Sequence, residues 1–591
     1  MRGYRNGRAL GVVGRVVFMV SIVSASTISS QEAPHAAQAQ PPASASTVRQ
    51  TTHLVLVDVV VNDKQGKHVT NLTAADFTVR DRGQQQNIAV FSNEHAGESP
   101  AEKTAAAPLY PPPPLPPEVF TNRPEYLQVE GPPTILLLDG LNTAVADQQF
   151  SNDAMLQYLR TQLKEGQRAA ILALNNSLLL LQDFTTDPRL LIAALDKNVP
   201  KTSEELSTPG IVQFSPIEAQ DIPAKVLSNL DQLNQRYAAE SMDARVRITL
   251  AALRSIARAV GGIPGRKNLI WVSAAFPFSL LTRSSNYFDE DRTYGDETRR
   301  TAELLAAARV AVYPVDARGL ATGLLTKYGR KPPGLVDTVE QADNMHSVEE
   351  QLTNNPDIVV GSHDTMQDLA KETGGLAFYN QNDITHAVAL SAADGGSYYT
   401  LGYYPGSSRW DGKFHRIEVK VAGHGLEARY RSGYFAADVA QTVAADNPQR
   451  RERRAFEELR DAIADPLPAT QISFWARIPT VQPAAKAQVQ IQFLIDTASI
   501  SFDGVETGRP HCSLDFMVAA TSPEGKVITA DTRTVDAHLQ PDHYAQATRH
   551  GLPLSMSLSL APGSYSLRLA VHDSPTGKIG TLIVPLTVPA P

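Results

Sequence analysis

The sequence has a single cysteine, Cys512, so it can form no intrachain disulfide, and any export from the cell brings no disulfide framework with it. A lone cysteine of this kind is expected to be a small buried hydrophobe rather than a nucleophile. An excess of one charge is also lacking. Lys and Arg number 54 against 62 Asp and Glu, and a net charge of −8 over 591 residues gives no case for nucleic-acid binding. No run of 18 apolar residues follows the N-terminal stretch, so no span of a bilayer is expected beyond it.

Motifs of catalysis are missing as well. There is no Gly-x-Ser-x-Gly, Walker A or Rossmann glycine pattern. The cluster Gly261-Gly262-Ile263-Pro264-Gly265 lies between a helix and a strand, the wrong order for phosphate capture at a helix N-terminus, and reads as a turn. The 14 histidines are scattered without zinc-ligand spacing. His346 and Glu349 have no second histidine nearby, His363-Asp364 reads as a helix cap, and Asp289 and Asp291 sit in a charged loop as solvated acids. The expectation is a protein that is not an enzyme, with an enzyme of unknown type as the rival reading.

What is present begins with Arg2, Arg5, Arg8 and Arg15, the apolar stretch Val16–Val23 and small residues around Ser24-Ala25-Ser26. That is the layout of a signal peptide over 1–26, with an uncleaved anchor as the alternative, and it predicts a secreted or periplasmic protein. Residues 27–47, rich in Ala, Ser, Gln and Pro, read as a disordered spacer. Residues 48–95 carry strand candidates at Leu54–Val61, Phe77–Arg80 and Ile88–Phe91, too few to stand alone. Residues 96–132, with Pro111–Pro114, Pro116 and Pro117, read as an extended linker.

Over 133–395 strands and helices alternate. Thr134–Asp139 is a continuous apolar run ending in an acid, as expected for a strand covered on both faces. Further strands are expected at Ala169–Leu174, Leu178–Leu181, Asn268–Ser273, Val310–Asp316 and Leu376–Phe378. Val246, Leu250, Leu253, Ile256 and Val260 recur at helical spacing, whereas 197–240 reads as polar and irregular. This order predicts a doubly wound, mostly parallel sheet. The texture returns to β over 396–436, and these strands are expected to pair with 48–95, making the α/β domain an insertion in a β-sandwich. Residues 437–466 read as a helical linker whose charged helix is solvated. Short strands with turns between them over 467–591 suggest an immunoglobulin-like β-sandwich.

At Thr134–Thr143, Gly265–Ala275, Val310–Leu320 and Leu369–Phe378 the chain resembles von Willebrand factor A-related proteins of the acidobacterial type, a likeness covering roughly residues 50–436. The resemblance implies ligand binding at the carboxyl edge of the sheet. In A domains a Mg²⁺ is held there by an Asp-x-Ser-x-Ser loop, a later threonine and a distal aspartate. Here the loop reads Asp139-Gly140-Leu141-Asn142-Thr143, with Leu141 in place of the first serine. Neither Thr202 nor Thr208 has a matching context, and Ala274 stands where the distal aspartate is expected. Asp139, Thr143 and Asp316 are the candidate metal ligands of a degenerate site, against the alternative that Asp139 caps its own loop. The implied role is adhesion or scaffolding toward a protein or envelope component, without a required cofactor. A purely structural envelope subunit is the remaining alternative.

Overall fold

The computed structural model describes residues 54–95, 114–127, 133–164, 166–203, 223–276, 295–319, 356–405, 413–436, 447–505, 507–523 and 525–591. The expected signal peptide and spacer, the proline run 111–113, Thr208, Asp289, Asp291, His346 and Glu349 lie outside the described residues.

The chain first lays down β1 (Val55–Asn62), β2 (Phe77–Asp81), β3 (Gln84–Gln86) and β4 (Ile88–His95); β3 pairs locally with β2, while β1, β2 and β4 meet strands more than 300 residues later. The later strands are β11 (Ser397–Tyr403), β12 (Phe414–Val421), β13 (Glu427–Arg429) and β14 (Gly433–Phe435). Two four-stranded sheets result, in the orders β13-β1-β11-β4 and β14-β12-β2-β3. Between them lies a core of Val55, Val57, Val59, Val61, Phe77, Val79, Tyr399, Leu401, Tyr403, Ile417 and Val419. The period of two in β1 follows from this packing, since alternate residues face the opposite sheet. The other face of β1 is also covered: Asp58 accepts from Arg309 Nε at 3.0 Å and from Thr400 Oγ1 at 2.9 Å. Coverage on both sides is why this strand reads as a nearly unbroken apolar run.

Between the halves of that sandwich sits the α/β domain. Its strands are β6 (Thr134–Asp139), β7 (Ala169–Leu174), β8 (Leu178–Thr185), β9 (Lys267–Ser273) and β10 (Val310–Asp316). The sheet order is β10-β9-β6-β7-β8, parallel except for β8, which returns antiparallel after Asn175-Asn176. Leu376–Phe378 contributes only a single parallel bridge, Val315 to Phe378. One face of the sheet packs against α3 (Ala224–Val260), α4 (Gly295–Ala307) and α5 (Pro356–Thr373). The other is covered by α1 (Val145–Thr161), α2 (Pro188–Asp196) and α6 (Ile384–Asp394). Apolar layers on both faces make β6, β9 and β10 buried at every position.

Helix α3 is longer than its apolar pattern predicts. The segment from Ala224 to Glu240 is rich in helix formers, but among its residues of described burial none is buried, and Val226, Leu233 and Tyr237 are exposed. Periodicity locates only helices that bury one face. At the far end, Gly262 meets the C-terminal region: its N–H donates to Thr470 Oγ1 at 2.9 Å, and Thr470 Oγ1 donates to Ala259 O at 2.7 Å. A Cβ at Gly262 would lie 2.0 Å from Thr470 O. Gly262→Ala is therefore expected to destabilise the protein by about 1–3 kcal/mol through forced backbone displacement, measurable as a lowered urea midpoint.

The last region holds β15 (Phe474–Arg477), β16 (Ala487–Ile495), β17 (His511–Thr521), β18 (Val527–His538), β19 (Leu552–Leu560), β20 (Gly563–Asp573) and β21 (Lys578–Val588). They form two sheets around one core, ordered β18-β17-β20-β21 and β19-β16-β15-β5, where β5 is Val119–Thr121. The end of the proline-rich linker is thus an edge strand of the distant sandwich, not a free spacer. Asn122 fixes it there, its amide donating to Ala469 O at 2.9 Å and Ile472 O at 2.8 Å.

The charged helix α7 (Pro448–Ala464) is likewise not solvated all round. Leu459 and Ile463 pack on Met517, Ala519 and Ala570 of β17 and β20. The Arg568 guanidinium closes the end of α7, donating to Ile463 O at 2.6 Å and Asp465 O at 2.9 Å. Cys512 is buried at 1% exposure, and burial pushes its thiol up to about 12, which leaves it an inert core group.

Candidate functional site at the carboxyl edge of the parallel sheet

Parallel strands deliver their carboxyl ends to one edge, and Asp139, Ser273 and Asp316 close β6, β9 and β10 there. The loop after β6 is fixed residue by residue. Asn142 N donates to Asp139 Oδ1 at 3.0 Å, so the aspartate ties down the backbone of its own loop three residues on. Leu141, fully buried, points into the core beneath α3, which is the packing reason for an apolar residue where the resemblance implies a ligand. A Cβ at Gly140 would fall 2.3 Å from Asn175 Oδ1, so a side chain there would have to push the Asn175 amide aside. Gln148 of α1 ties the loop down by donating to Thr143 O at 2.7 Å and Lys201 O at 2.9 Å.

The Asp139 carboxylate is 3% exposed and surrounded by donors. Its Oδ2 accepts from Asn142 Nδ2 at 2.9 Å, Trp271 Nε1 at 3.0 Å and Ser273 Oγ at 2.8 Å. Burial pushes the carboxyl above its ordinary range, against the opposing effect of the hydrogen bonds from Asn142, Ser273 and Trp271. Behind Asn142 stands a cation from the protein itself. The Arg245 guanidinium, 1% exposed on α3, donates from Nε to Asn142 Oδ1 at 2.9 Å, while Asn142 Nδ2 also reaches Thr249 Oγ1 at 3.1 Å. Thr143 is committed too, its Oγ1 accepting from Ala274 N at 3.0 Å.

Asp316 belongs to a separate group. Its Oδ1 accepts from Arg318 N and Nε, both at 2.9 Å, and its Oδ2 accepts from Arg318 Nη2 at 2.7 Å. His363 Nε2 stands 2.9 Å from the same Oδ2, and its ring stacks on Tyr379 with centroids 4.5 Å apart. Burial works to raise the Asp316 carboxyl, but the bonds from His363 and Arg318 hold it below its ordinary range. His363 lies inside α5 and serves Asp316, so its expected role as a helix cap is corrected.

The three candidate ligands therefore do not form one set. Asp139 and Thr143 fasten the β6 loop to the end of β9, whereas Asp316 lies across β9, two strands or about 9–10 Å of backbone away. A divalent ion needs oxygen lone pairs converging at about 2.1–2.6 Å. Here Asp139 faces N–H and O–H donors, with a buried guanidinium next in line, and Asp316 already holds a bidentate cation. This donor set does not fit a metal. The sequence pointed to Asp139, and to His363 only as a helix cap; it did not reveal the roles of Arg245 and Trp271. Only Arg245 and Thr249, four residues apart on one helical face, left a trace in the sequence.

Comparison with known proteins finds no matching family model and no matching curated protein. Among solved structures, an aerotolerance-related membrane protein from Bacteroides fragilis aligns at 11% identity, over 45% of this chain and 98% of that one, with a TM-score of 0.24. BatB from Bacteroides thetaiotaomicron aligns at 11% identity over 45% and 98% of the two chains, with a TM-score of 0.22. A von Willebrand factor type A protein from Catenulispora acidiphila aligns at 8% identity over 57% and 74%, with a TM-score of 0.21. Likenesses at this level say nothing of this chain's chemistry, and the account of the fold rests on its own sheet order and packing. Among the described residues no helix is long and apolar enough to cross a membrane.

Proposed function

We propose that this chain is an exported binding protein that presents the carboxyl edge of its A-domain-like α/β unit to another protein or an envelope component, without a bound metal. The observation that carries this reading is the Asp139 network. An edge that in a metal-dependent adhesion site would be completed by a cation is here completed internally by Arg245, Asn142, Trp271 and Ser273. A preassembled edge binds without an ordering cost at the moment of contact. The two four-stranded sheets of the C-terminal module are consistent with the immunoglobulin-like reading.

Crosslinking in intact cells, followed by identification of the bound proteins, tests the role. A recurring partner whose yield is unchanged by EDTA supports metal-independent binding. Recovery of no partner favours a purely structural subunit, and a partner lost with EDTA and restored by Mg²⁺ overturns the metal-independent reading.

A further inference from the structure

The β17–β18 hairpin brings together two histidines that stand 27 positions apart in the sequence. His511 and His538 face each other directly across the two strands, as far before the turn as after it, and their rings stack with centroids 4.4 Å apart. Asp536, two residues before His538, projects from the same face of β18 by the strand's period of two and contacts His511 Nε2. One ligand atom from each of His511, Asp536 and His538 lies within 4.8 Å of the others. The rest of the hairpin supports the arrangement. Asp503, whose backbone forms a two-way bridge with His511, places its Oδ1 3.1 Å from His511 Nδ1.

That second carboxylate sets the chemistry. A carboxylate on Nδ1 holds the proton there, so the Nε2 lone pair of a neutral His511 points toward Asp536, another acceptor. Two acceptors face each other only with a proton or a cation between them. A metal-bound histidine whose other ring nitrogen donates to a carboxylate is the recurrent second shell of zinc sites. We propose that His511, His538 and Asp536 form a Zn²⁺-class site on the C-terminal module, with Asp503 as the positioning residue and water in the fourth place. Two imidazoles and one carboxylate suit a borderline transition ion rather than Mg²⁺ or Ca²⁺. A tetrahedron with bonds near 2.0–2.1 Å sets its ligand atoms about 3.3 Å apart, so metal entry separates His511 Nε2 from Asp536 and holds the third atom, already within 4.8 Å, at the same spacing. Asp536 can move for this, since its side chain is 65% exposed. The site lies on a different module from the Asp139 edge, so it neither needs nor contradicts metal-independent binding there.

Isothermal titration of the full chain, stripped with chelator and returned to chelator-free buffer, tests the site with Zn²⁺ and, separately, with Mg²⁺. One Zn²⁺ per chain with no Mg²⁺ heat is expected. His538→Ala should abolish that heat, and Asp503→Asn should weaken it about 10–100-fold. His543→Ala and His550→Ala, on the neighbouring helix 541–550, should leave it unchanged, and near-UV circular dichroism should show all four variants folded. No Zn²⁺ heat in the wild type overturns the proposal, because a proton then suffices between His511 and Asp536. Stoichiometric heat that survives His538→Ala and Asp536→Asn overturns it as well.

Discussion

Asp139→Ala is expected to lower the unfolding free energy of the α/β domain by about 3–5 kcal/mol, whether or not Mg²⁺ is present. Without the carboxylate, Trp271 Nε1 loses its acceptor, while Ser273 Oγ keeps only Ala275 O and the Asn142 amide only Thr249 Oγ1 at the end of the sheet. Each such buried loss costs about 1–3 kcal/mol, and the Asn142 side chain that Arg245 donates to loses its anchor on Asp139. Asp139→Asn keeps one acceptor oxygen and the volume, so it should fall between the variant and the wild type. Urea unfolding followed by tryptophan fluorescence reads the effect, because Trp271 itself reports on the site. A metal centre predicts a different pattern. Millimolar Mg²⁺, Mn²⁺ or Ca²⁺ would then raise the wild-type midpoint and give calorimetric heat that vanishes in Asp139→Ala.

The second large effect is expected at His572, on the joint between α7 and the C-terminal sandwich. The imidazole is 4% exposed and stands between Asp515, at 3.1 Å from Nδ1, and Glu458, at 3.3 Å from Nε2. Burial opposes its charge, but the bonds to Asp515 and Glu458 win and lift it to about 9. Glu458, against its own burial, is drawn down to about 2 by His572 and Arg454. His572→Gln is expected to destabilise the protein by on the order of 3 kcal/mol at pH 6, since it leaves two half-buried carboxylates facing one another.

The pH dependence has a definite sign. A histidine raised in the folded state contributes fully below its ordinary value near 6.5, and the contribution fades as pH rises through about 9. A glutamate depressed in the folded state contributes above its ordinary value near 4.5, and this is lost as pH falls toward about 2. The joint is therefore strongest between about pH 4.5 and 6.5. Thermal midpoints of wild type and His572→Gln, measured from pH 4 to 9.5, should differ most inside that window and converge at alkaline pH. A constant difference across the range would mean that the histidine acts by packing alone.

Much of this architecture was legible in the sequence because its signals are local. A continuous apolar run marked β6 as a strand covered on both faces, and β9 and β10 were legible as strands that the structure buries at every position; β16, expected as one short strand among several, alternates with Ala487, Val489, Ile491, Phe493 and Ile495 inward. Where local signals were weak the reading departed from the structure. Val119–Thr121 is too short and too close to prolines to announce itself as a strand, and it becomes one only because β15 offers a free edge. Helix α7 looked solvated because its charges dominate its composition, yet Leu459 and Ile463 suffice to seat it.

Sequence alone determined the alternation of strands and helices over 133–395, the single thiol, and the loop Asp139–Thr143 in which a leucine replaces a polar ligand. These follow from periodicity, composition and spacing along the chain. Tertiary structure decided what those residues do. It brought Arg245, Trp271 and Ser273 onto Asp139, sent Asp316 to Arg318 and His363 instead, closed His572 between Glu458 and Asp515, and set His511 against His538. Each of these meetings joins residues from different elements, or from two strands whose register the sheet sets. Side-chain chemistry depends on direction and distance over a few ångströms, and that geometry exists only once the sheets and helices have packed.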